Sequence, residues 1–192
     1  RPQSLDRPDY RGYAGRVAGG VFRPGDAVMA LPSGLTTRVV SVDGLDAREN
    51  EAVAPMAATL TLADDIDISR GDMIVGVDNR PETTRDIDIL LCWLSANPLR
   101  AGGKYAIKHT TRDVRCVVRK ILYKIDINTL DRIEQDSPVQ MNDIARVSIR
   151  TTAPLFVDPY SRNRSTGSLI LIDEAGNETV GAGIIDDLAP QA

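Results

Sequence analysis

Short runs of apolar and β-branched residues, separated by turn residues, dominate the chain from about residue 10 onwards. Within Asp86–Leu94, for example, Ile87 and Ile89 alternate with Asp86 and Asp88, which is the period of a strand with one buried face. The same pattern predicts two sets of strands. They cover Gly12–Ala18, Ala27–Leu31, Thr36–Val42, Ala57–Leu62 and Met73–Val77, then Asp86–Leu94, Lys104–Thr110, Val114–Tyr123, Ala145–Thr151, Ser168–Ile172 and Thr179–Ile185.

Glycine, proline and short polar residues mark the connections between these strands. Arg23-Pro24-Gly25-Asp26 predicts a type II turn, since Pro presets φ and Gly accepts a positive φ. Pro32-Ser33-Gly34 and Ala175-Gly176-Asn177 are typical of hairpin connections. The longer segment Asp126–Asn142 has weak periodicity, and we expect a loop with about one helical turn there.

A polar, proline-containing segment, Asp78–Thr83, lies between the two sets of strands and predicts a domain boundary. Evenly spaced short strands are typical of barrels and sandwiches. We therefore expect an all-β protein of two consecutive antiparallel β-barrels, in residues 1–82 and 83–192, the second with a short C-terminal tail.

Composition narrows the class of protein. The chain is 42% hydrophobic and 26% charged, which is ordinary for a soluble globular protein, and no apolar run approaches the roughly 20 residues of a membrane helix. The net charge of −4 disfavours a general nucleic-acid binder. Cys92 and Cys116 lie outside any CxxC pattern, which favours a reducing cytoplasm and buried structural thiols. The start without Met suggests an excised fragment.

Nucleotide-binding motifs are missing from the sequence. There is no GxxxxGK[ST] loop to wrap main-chain N–H groups around phosphates. The nearest imitation, Ala101-Gly102-Gly103-Lys104, lacks the first glycine at the required spacing and the hydroxyl for Mg²⁺, so we interpret it as a turn before a strand. The chain alone is expected neither to bind nor to hydrolyse GTP or ATP.

Three stretches of the first half, Tyr10–Val17, Gly25-Asp26 and Ile68–Ile74, resemble domain II of elongation factor Tu-type GTPases. The second half, which ends in Thr179–Ile185, resembles domain III of the same proteins. Both resemblances occur in the order that those proteins have. Together they imply the paired-barrel architecture of the translation GTPases, without the GTPase domain that precedes it.

Other stretches resemble the large GTPase subunit of bacterial sulfate adenylyltransferases (ATP sulfurylases), some of which carry a fused adenylylsulfate kinase. They are Arg11–Gly15, Leu31–Gly34, Asp65–Asp72, Ile107–Thr111, Asp126–Leu130 and Thr166–Asp173. The resemblance implies a cytoplasmic enzyme of sulfate assimilation, in which GTP hydrolysis drives adenylylsulfate formation from ATP and sulfate. It also implies two partners, the N-terminal GTPase domain of the same chain and the small catalytic subunit, with no membrane or nucleic-acid partner. GTP and Mg²⁺ would bind the GTPase domain, so we expect no catalytic, cofactor or metal residue in this segment.

The acidic run is the strongest candidate for a functional contact. Clustered carboxylates at Asp64, Asp65 and Asp67 can hold Mg²⁺ or Ca²⁺, but alternation with Ile66 and Ile68 favours a solvated edge instead. Because the run is characteristic of the sulfate-activating proteins, we expect four of its residues to contact the GTPase domain or the small subunit. The set is Asp65, Asp67, Ser69 and Arg70, with Arg70 projecting from a tight turn.

Three further features have ordinary explanations beside a functional one. His109 is the only histidine; we favour a packed or surface side chain, with a partner contact as the alternative. A basic stripe is interpreted as a solvated strand face, with a contact for an acidic protein partner as the second choice. The stripe consists of Lys108, Arg112, Arg115, Arg119, Lys120 and Lys124. Trp93 is expected in the core.

Two rival functions stay open on the sequence alone. The first is a translation factor whose barrels bind tRNA, which the acidic charge and the Asp65–Asp72 run disfavour. The second is a ligand-binding β-barrel unrelated to GTPases, which the Thr179–Ile185 ending and the two-domain order disfavour.

Overall fold

Strands and tight turns make up the part of the chain that the computed structural model describes, residues 10–44, 48–133 and 138–186. Within those ranges there is no helix. The chain divides into two compact units, Arg1–Arg80 and Pro81–Ala192. Each has a hydrophobic core of its own, as expected for independent barrels.

The described part of the first unit contains eight strands. They are β1 (Gly12–Arg16), β2 (Val21–Phe22), β3 (Ala27–Leu31), β4 (Thr36–Asp43), β5 (Arg48–Glu49), β6 (Ala52–Val53), β7 (Ala57–Leu62) and β8 (Met73–Gly76). An antiparallel sheet runs in the order β1-β7-β4-β3-β8, with β5 paired to β4 and a separate β2-β6 ribbon. Inward residues of these strands form a small core with Val17, which directly follows β1; the strand residues are Val28, Val39, Val42, Ala52 and Leu60.

Seven strands occur in the residues of the second unit that the structure describes: β9 (Glu82–Trp93), β10 (Lys104–His109), β11 (Arg112–Ile125), β12 (Arg132–Ile133), β13 (Ile144–Val157), β14 (Ser168–Asp173) and β15 (Glu178–Ile185). Pairing runs β10-β14-β15-β9-β13-β11, and β11 pairs again with β10, which closes a six-stranded antiparallel barrel. Closure removes the sheet edges. The short β12 pairs with the end of β11.

The barrel core of the second unit is built by alternation along its strands, which is clearest in β9. In β9, Ile87, Ile89, Leu91 and Trp93 are all buried, while the residues between them are partly exposed. The pairing of the two longest strands, β11 and β13, is interrupted by bulges between Val118 and Lys120 and between Ile121 and Tyr123 of β11. Such bulges allow long strands to curve without losing their inward register.

The all-β prediction of two consecutive antiparallel barrels is confirmed, and each of the eleven predicted strands is present. The hydrophobic pattern missed the short strands β2, β5, β6 and β12, because a strand of two residues is too short to show the alternation of a strand. The type II turn is confirmed by the bond from the Asp26 N–H to the Arg23 oxygen, 3.1 Å, and by a Gly25 φ of 95°. In the β14–β15 hairpin, Asn177 rather than Gly176 has the positive φ.

The predicted helical turn after β11 is a single closed turn. The Leu130 N–H donates to the Asp126 oxygen at 2.8 Å, and Leu130 itself has a φ of 64°. The Asp126 carboxylate accepts the Asn128 N–H at 2.8 Å and the Thr129 N–H at 3.4 Å, which lowers the pKa of Asp126. These side-chain bonds and the left-handed Leu130 stop the turn from continuing as a helix.

Candidate partner-contact site

The acidic segment, Asp64–Asp72, connects β7 to β8 in the first unit. It alternates as its sequence predicts: Ile66 is buried, whereas Asp65 and Asp67 are exposed. It is not a strand, however. The Asp64 carboxylate accepts a hydrogen bond from the Thr37 hydroxyl at 2.8 Å, which ties the start of the segment to β4.

Arg11, next to β1, holds the middle of the acidic segment. Its guanidinium forms an ion pair with Asp65 and lies 3.6 Å from the Asp67 carboxylate. The Tyr13 hydroxyl in β1 donates to the main-chain oxygen of Ile66 at 2.5 Å. No ladder joins β1 to β8 in the described chain, so these side-chain bonds link the β1 end of the sheet to the segment that enters β8. Asp65 and Asp67 therefore have partners within their own unit.

The end of the acidic segment is a fixed turn. The Asp72 N–H donates to the Ser69 oxygen at 3.0 Å, and the Ser69 N–H donates to the Asp72 carboxylate at 2.8 Å. Gly71 has a φ of 96°, a conformation that favours glycine. Ser69 and Arg70 are exposed on this turn. Arg70 thus projects from a rigid base, as the sequence predicts.

Carboxylates of the acidic segment do not form a metal site with their neighbours. No group of three or more His, Cys, Asp or Glu side chains suited to a metal ion occurs in residues 10–44, 48–133 and 138–186. Arg11 occupies the position between Asp65 and Asp67 that a cation would take. The interpretation as a solvated edge is the one this arrangement supports.

His109 lies inside the second unit, with 1% of its surface exposed. Its Nε2 lies 2.8 Å from the Thr166 main-chain oxygen, and because a carbonyl can only accept, Nε2 carries the hydrogen. Burial, partly opposed by this hydrogen bond, lowers the pKa of the ring. The packed interpretation of His109 fits this burial better than the alternative of a partner contact, because the buried ring joins β10 to the loop before β14.

The basic stripe along β10 and β11 is largely matched by carboxylates. Its pairs are Lys108 with Asp113 at 3.4 Å, Arg115 with Glu174 at 2.7 Å, Arg119 with Asp86 at 3.5 Å and Lys124 with Asp143 at 3.1 Å. Asp86 also binds Arg150 at 2.9 Å. The result is a mixed-charge strand face, which is the solvated face that alternation predicts.

Residues with a possible redox or ligand role are also structural. Cys116 is buried, and burial raises the pKa of its thiol to about 12, so it is a poor nucleophile. Cys92 is only partly buried, unlike the sequence prediction. Trp93 is in the core as predicted, and its indole N–H donates to the Asn97 oxygen at 2.8 Å.

The glycine-rich segment 101–104 leads directly into β10. The turn prediction for 101–104 is confirmed by a bond from the Gly103 N–H to the Arg100 oxygen, 3.1 Å, and by a Gly102 φ of 82°. A cleft of about 190 Å³ lies beside Lys124 and Asp143, smaller than the roughly 300 Å³ at which small-molecule sites begin.

Comparison with known proteins found one matching family model and several proteins of similar sequence. The family described as GTP-eEF1A C-terminal domain-like matches residues 86–186. The Bifunctional enzyme CysN/CysC of Mycobacterium tuberculosis is 48% identical over 96% of this chain and 30% of its own length. Sulfate adenylyltransferase subunit 1 of Alteromonas mediterranea is 45% identical over 99% of this chain and 41% of its own, and that of Bacteroides thetaiotaomicron 42% over 93% and 39%.

Solved structures support the fold at lower identity. Sup35 complexed with GDP has a TM-score of 0.83 at 15% identity and covers 93% of this chain and 46% of its own. Sup35 complexed with GMPPNP gives the same TM-score at 16% identity. This chain thus spans less than half the length of the relatives it matches. In the part that the structure describes, no helix is long and apolar enough to cross a membrane.

Proposed function

We propose, from the premise that this chain belongs to the GTP-eEF1A C-terminal domain-like family, that it forms the two barrels of the large subunit of a sulfate adenylyltransferase. The observation that carries the proposal is the identity of 42% to 48% with sulfate adenylyltransferase subunit 1 and CysN/CysC proteins over 93% to 99% of the chain. Residues 1–82 and 83–192 would then be its domain II-type and domain III-type barrels.

The proposed role of the barrels is coupling rather than chemistry. In the whole protein, GTP hydrolysis would drive the formation of adenylylsulfate from ATP and sulfate in the cytoplasm. GTP and Mg²⁺ would bind a GTPase domain of the same polypeptide, and the small subunit would carry the adenylyl transfer. A rigid barrel suits such a role because it transmits a displacement of the GTPase domain without deforming.

Within this proposal, the acidic segment supplies the contact to the GTPase domain or the small subunit. Arg70 is the residue best suited to reach a partner, since it is exposed on a fixed turn and its planar guanidinium can bind a carboxylate through two hydrogen bonds. Ser69 shares that exposed turn. Asp65 and Asp67 support the contact indirectly, because their pairing with Arg11 fixes the segment on which the turn sits.

The alternative is a tRNA-binding pair of barrels in a translation factor. The likeness to Sup35 supports the shared fold and nothing further. Against the alternative stand the net charge of −4 and the matched charges of the basic stripe, because binding a polyanion requires a surplus of cations on one face.

A chimera tests the function directly. This chain replaces the matched region of the Mycobacterium tuberculosis CysN/CysC protein, and adenylylsulfate formation from ATP and sulfate is measured with and without GTP. The proposal expects GTP-stimulated synthesis near that of the parent. A soluble chimera that hydrolyses GTP but gives no stimulated synthesis contradicts it, and filter binding of tRNA to this chain at moderate salt would favour the alternative.

A further inference from the structure

Residues 126–131, which connect β11 to β12, form a turn closed by its own hydrogen bonds; we name it the apolar turn. The two strands pair with each other on either side of it. The Asp126 N–H donates to the Asp131 oxygen at 3.0 Å, and the Leu130 N–H donates to the Asp126 oxygen at 2.8 Å. The Asp126 carboxylate accepts two further N–H groups of the turn. The backbone of the apolar turn is therefore ordered by contacts within its own unit.

Leu130 has a backbone conformation that its residue type does not favour. Its φ of 64° lies in the left-handed region, which glycine and asparagine adopt far more readily than leucine does. Its side chain is 77% exposed, so burial in the core does not offset this cost. Folding alone favours glycine or asparagine at this position, and it does not account for Leu130.

Two other large apolar side chains are exposed close to Leu130 in the fold. Ile127 is 63% exposed and precedes Leu130 by three residues, a spacing that places two side chains on the same side of a helical turn. Met141 is 50% exposed. Ile127 and Asn142, the neighbour of Met141, both line the cleft of about 190 Å³. We name Ile127, Leu130 and Met141, together with this cleft, the apolar site.

We infer that the apolar site is a docking surface for a segment of another protein that presents apolar side chains and a net positive charge. Covering Ile127 and Leu130 removes from water the apolar surface that the free chain leaves exposed. The cleft is too small for a drug-sized ligand, but it has room for a side chain of the partner. An ordered turn also loses little conformational entropy when it binds. The inference rests on exposure and backbone geometry and does not depend on the proposed function.

Charges around the apolar site select the partner. Three carboxylates, Asp126, Asp131 and Asp143, and two cations, Lys124 and Arg132, leave a local net charge of −1. Lys124 is bound to Asp143 at 3.1 Å, and Asp131 is exposed. Nucleic acid, anionic lipid and a second copy of this chain, whose net charge is −4, are disfavoured by repulsion of like charges. A cation beside an apolar side chain is attracted to the same surface.

The test is an NMR titration of this chain with a synthetic peptide of alternating leucine and lysine pairs. We expect shifts of the backbone amides of the apolar turn and of Met141, with little change elsewhere. The double variant Ile127→Ser/Leu130→Asn should weaken binding about tenfold, because it removes the apolar surface that the peptide covers. The control Leu35→Ser/Val40→Ser removes side chains of the first unit that are 54% and 56% exposed. It should change the affinity less than about twofold, because exposed apolar side chains are common on protein surfaces without binding anything.

The single variant Leu130→Asn separates docking from folding. Asparagine accepts the left-handed conformation more readily than leucine, so urea unfolding followed by Trp93 fluorescence should show equal or greater stability of the second unit. Peptide binding should nevertheless weaken at least about threefold. If Leu130→Asn lowers the stability instead, folding accounts for the leucine and the inference is wrong.

Four outcomes of the binding experiments also overturn the inference. They are peptide shifts that avoid the apolar site, equal weakening by the control variant, equal binding of a peptide with glutamate in place of lysine, and an unchanged affinity in the double variant. Sedimentation of this chain alone and with phosphatidylcholine vesicles tests the other occupants. Self-association or vesicle binding that the double variant abolishes would assign the site to a second copy or to a lipid surface, and would contradict the proposed protein segment.

Discussion

The Tyr13 hydroxyl donates a hydrogen bond of 2.5 Å to the main-chain oxygen of Ile66, and so joins β1 to the segment that leads into β8. These are the two ends of the sheet order in the first unit. Arg11 adds ion pairs with Asp65 and Asp67 beside this bond. The acidic segment therefore helps to complete the first barrel, in addition to any contact that it makes outside.

Replacing Tyr13 with Phe should loosen the first unit alone. The change removes the bond to Ile66 and leaves the ring, so we expect a loss of about 1 kcal/mol. Native-state hydrogen exchange measures it: amides of β1 and β7 should exchange about fivefold faster, while amides of the second unit serve as the internal control. Equal acceleration in both units, or none in either, contradicts the proposed link.

The fold was largely predictable because alternation and turn chemistry are local properties. Ile87 and Ile89 alternate with aspartates, and that pattern alone placed β9 and its inward face. The acidic segment shows the limit of the same reasoning. Its alternating burial was predictable, but Arg11 as the partner of Asp65 was not, because a pairing across 54 residues depends on which strands become neighbours.

His109 shows a second limit. Its sequence position between Lys108 and Thr110 favoured a packed or surface ring over a partner contact but did not choose between packed and surface, since the direction of one side chain depends on the strand register. Burial followed from the pairing of β10 with β11 and β14 and from the loop that folds over the ring.

Acid should destabilise the second unit through His109. Burial lowers the pKa of this ring in the folded state, so below the ordinary pKa of about 6.5 the unfolded chain binds the proton more readily. The stabilisation is complete above that pH and is lost as the pH falls towards the lowered pKa. Urea unfolding followed by Trp93, the only tryptophan, reports the second unit and should show this decline between about pH 7 and pH 5.

The variant His109→Gln is the control for the pH effect. Glutamine can still donate to the Thr166 oxygen but does not titrate. Carboxylates contribute equally to both proteins, so the difference between the two unfolding free energies should shrink or reverse as the pH falls. A difference that stays constant from neutral to acid pH contradicts the assignment of the effect to His109.

The packing of Gly167 can be tested against another glycine of the same unit. A Cβ at Gly167 would meet the Tyr160 backbone at 2.4 Å, whereas a Cβ at Gly176 would meet the Glu178 side chain at 3.5 Å. We expect Gly167→Ala to cost about 1–3 kcal/mol of stability and Gly176→Ala to be near neutral. Urea unfolding followed by Trp93 fluorescence measures the stability of both variants. If Gly167→Ala lowers the stability no more than Gly176→Ala does, the loop before β14 accommodates the added Cβ and the close packing of Gly167 is not required.

Replacing Arg70 with Ala tests the proposed contact of the acidic segment. Arg70 is exposed on the turn closed by Ser69 and Asp72, so its removal should alter the melting temperature by less than about 1 °C. In the chimera with the Mycobacterium tuberculosis protein, GTP-stimulated adenylylsulfate formation should fall about tenfold if Arg70 meets a carboxylate of the partner. Basal GTP hydrolysis, which the barrels do not perform in this proposal, should be unchanged.

Arg38→Ala is the matched control, because Arg38 is also an exposed arginine of the first unit but binds the Gly25 main-chain oxygen at 3.0 Å. It should leave the stimulated synthesis near that of the parent chimera. If Arg70→Ala instead lowers the melting temperature by several degrees while coupling survives in the folded protein, Arg70 is structural. The contact must then be sought at another surface, since Asp65 and Asp67 already bind Arg11 within their own barrel.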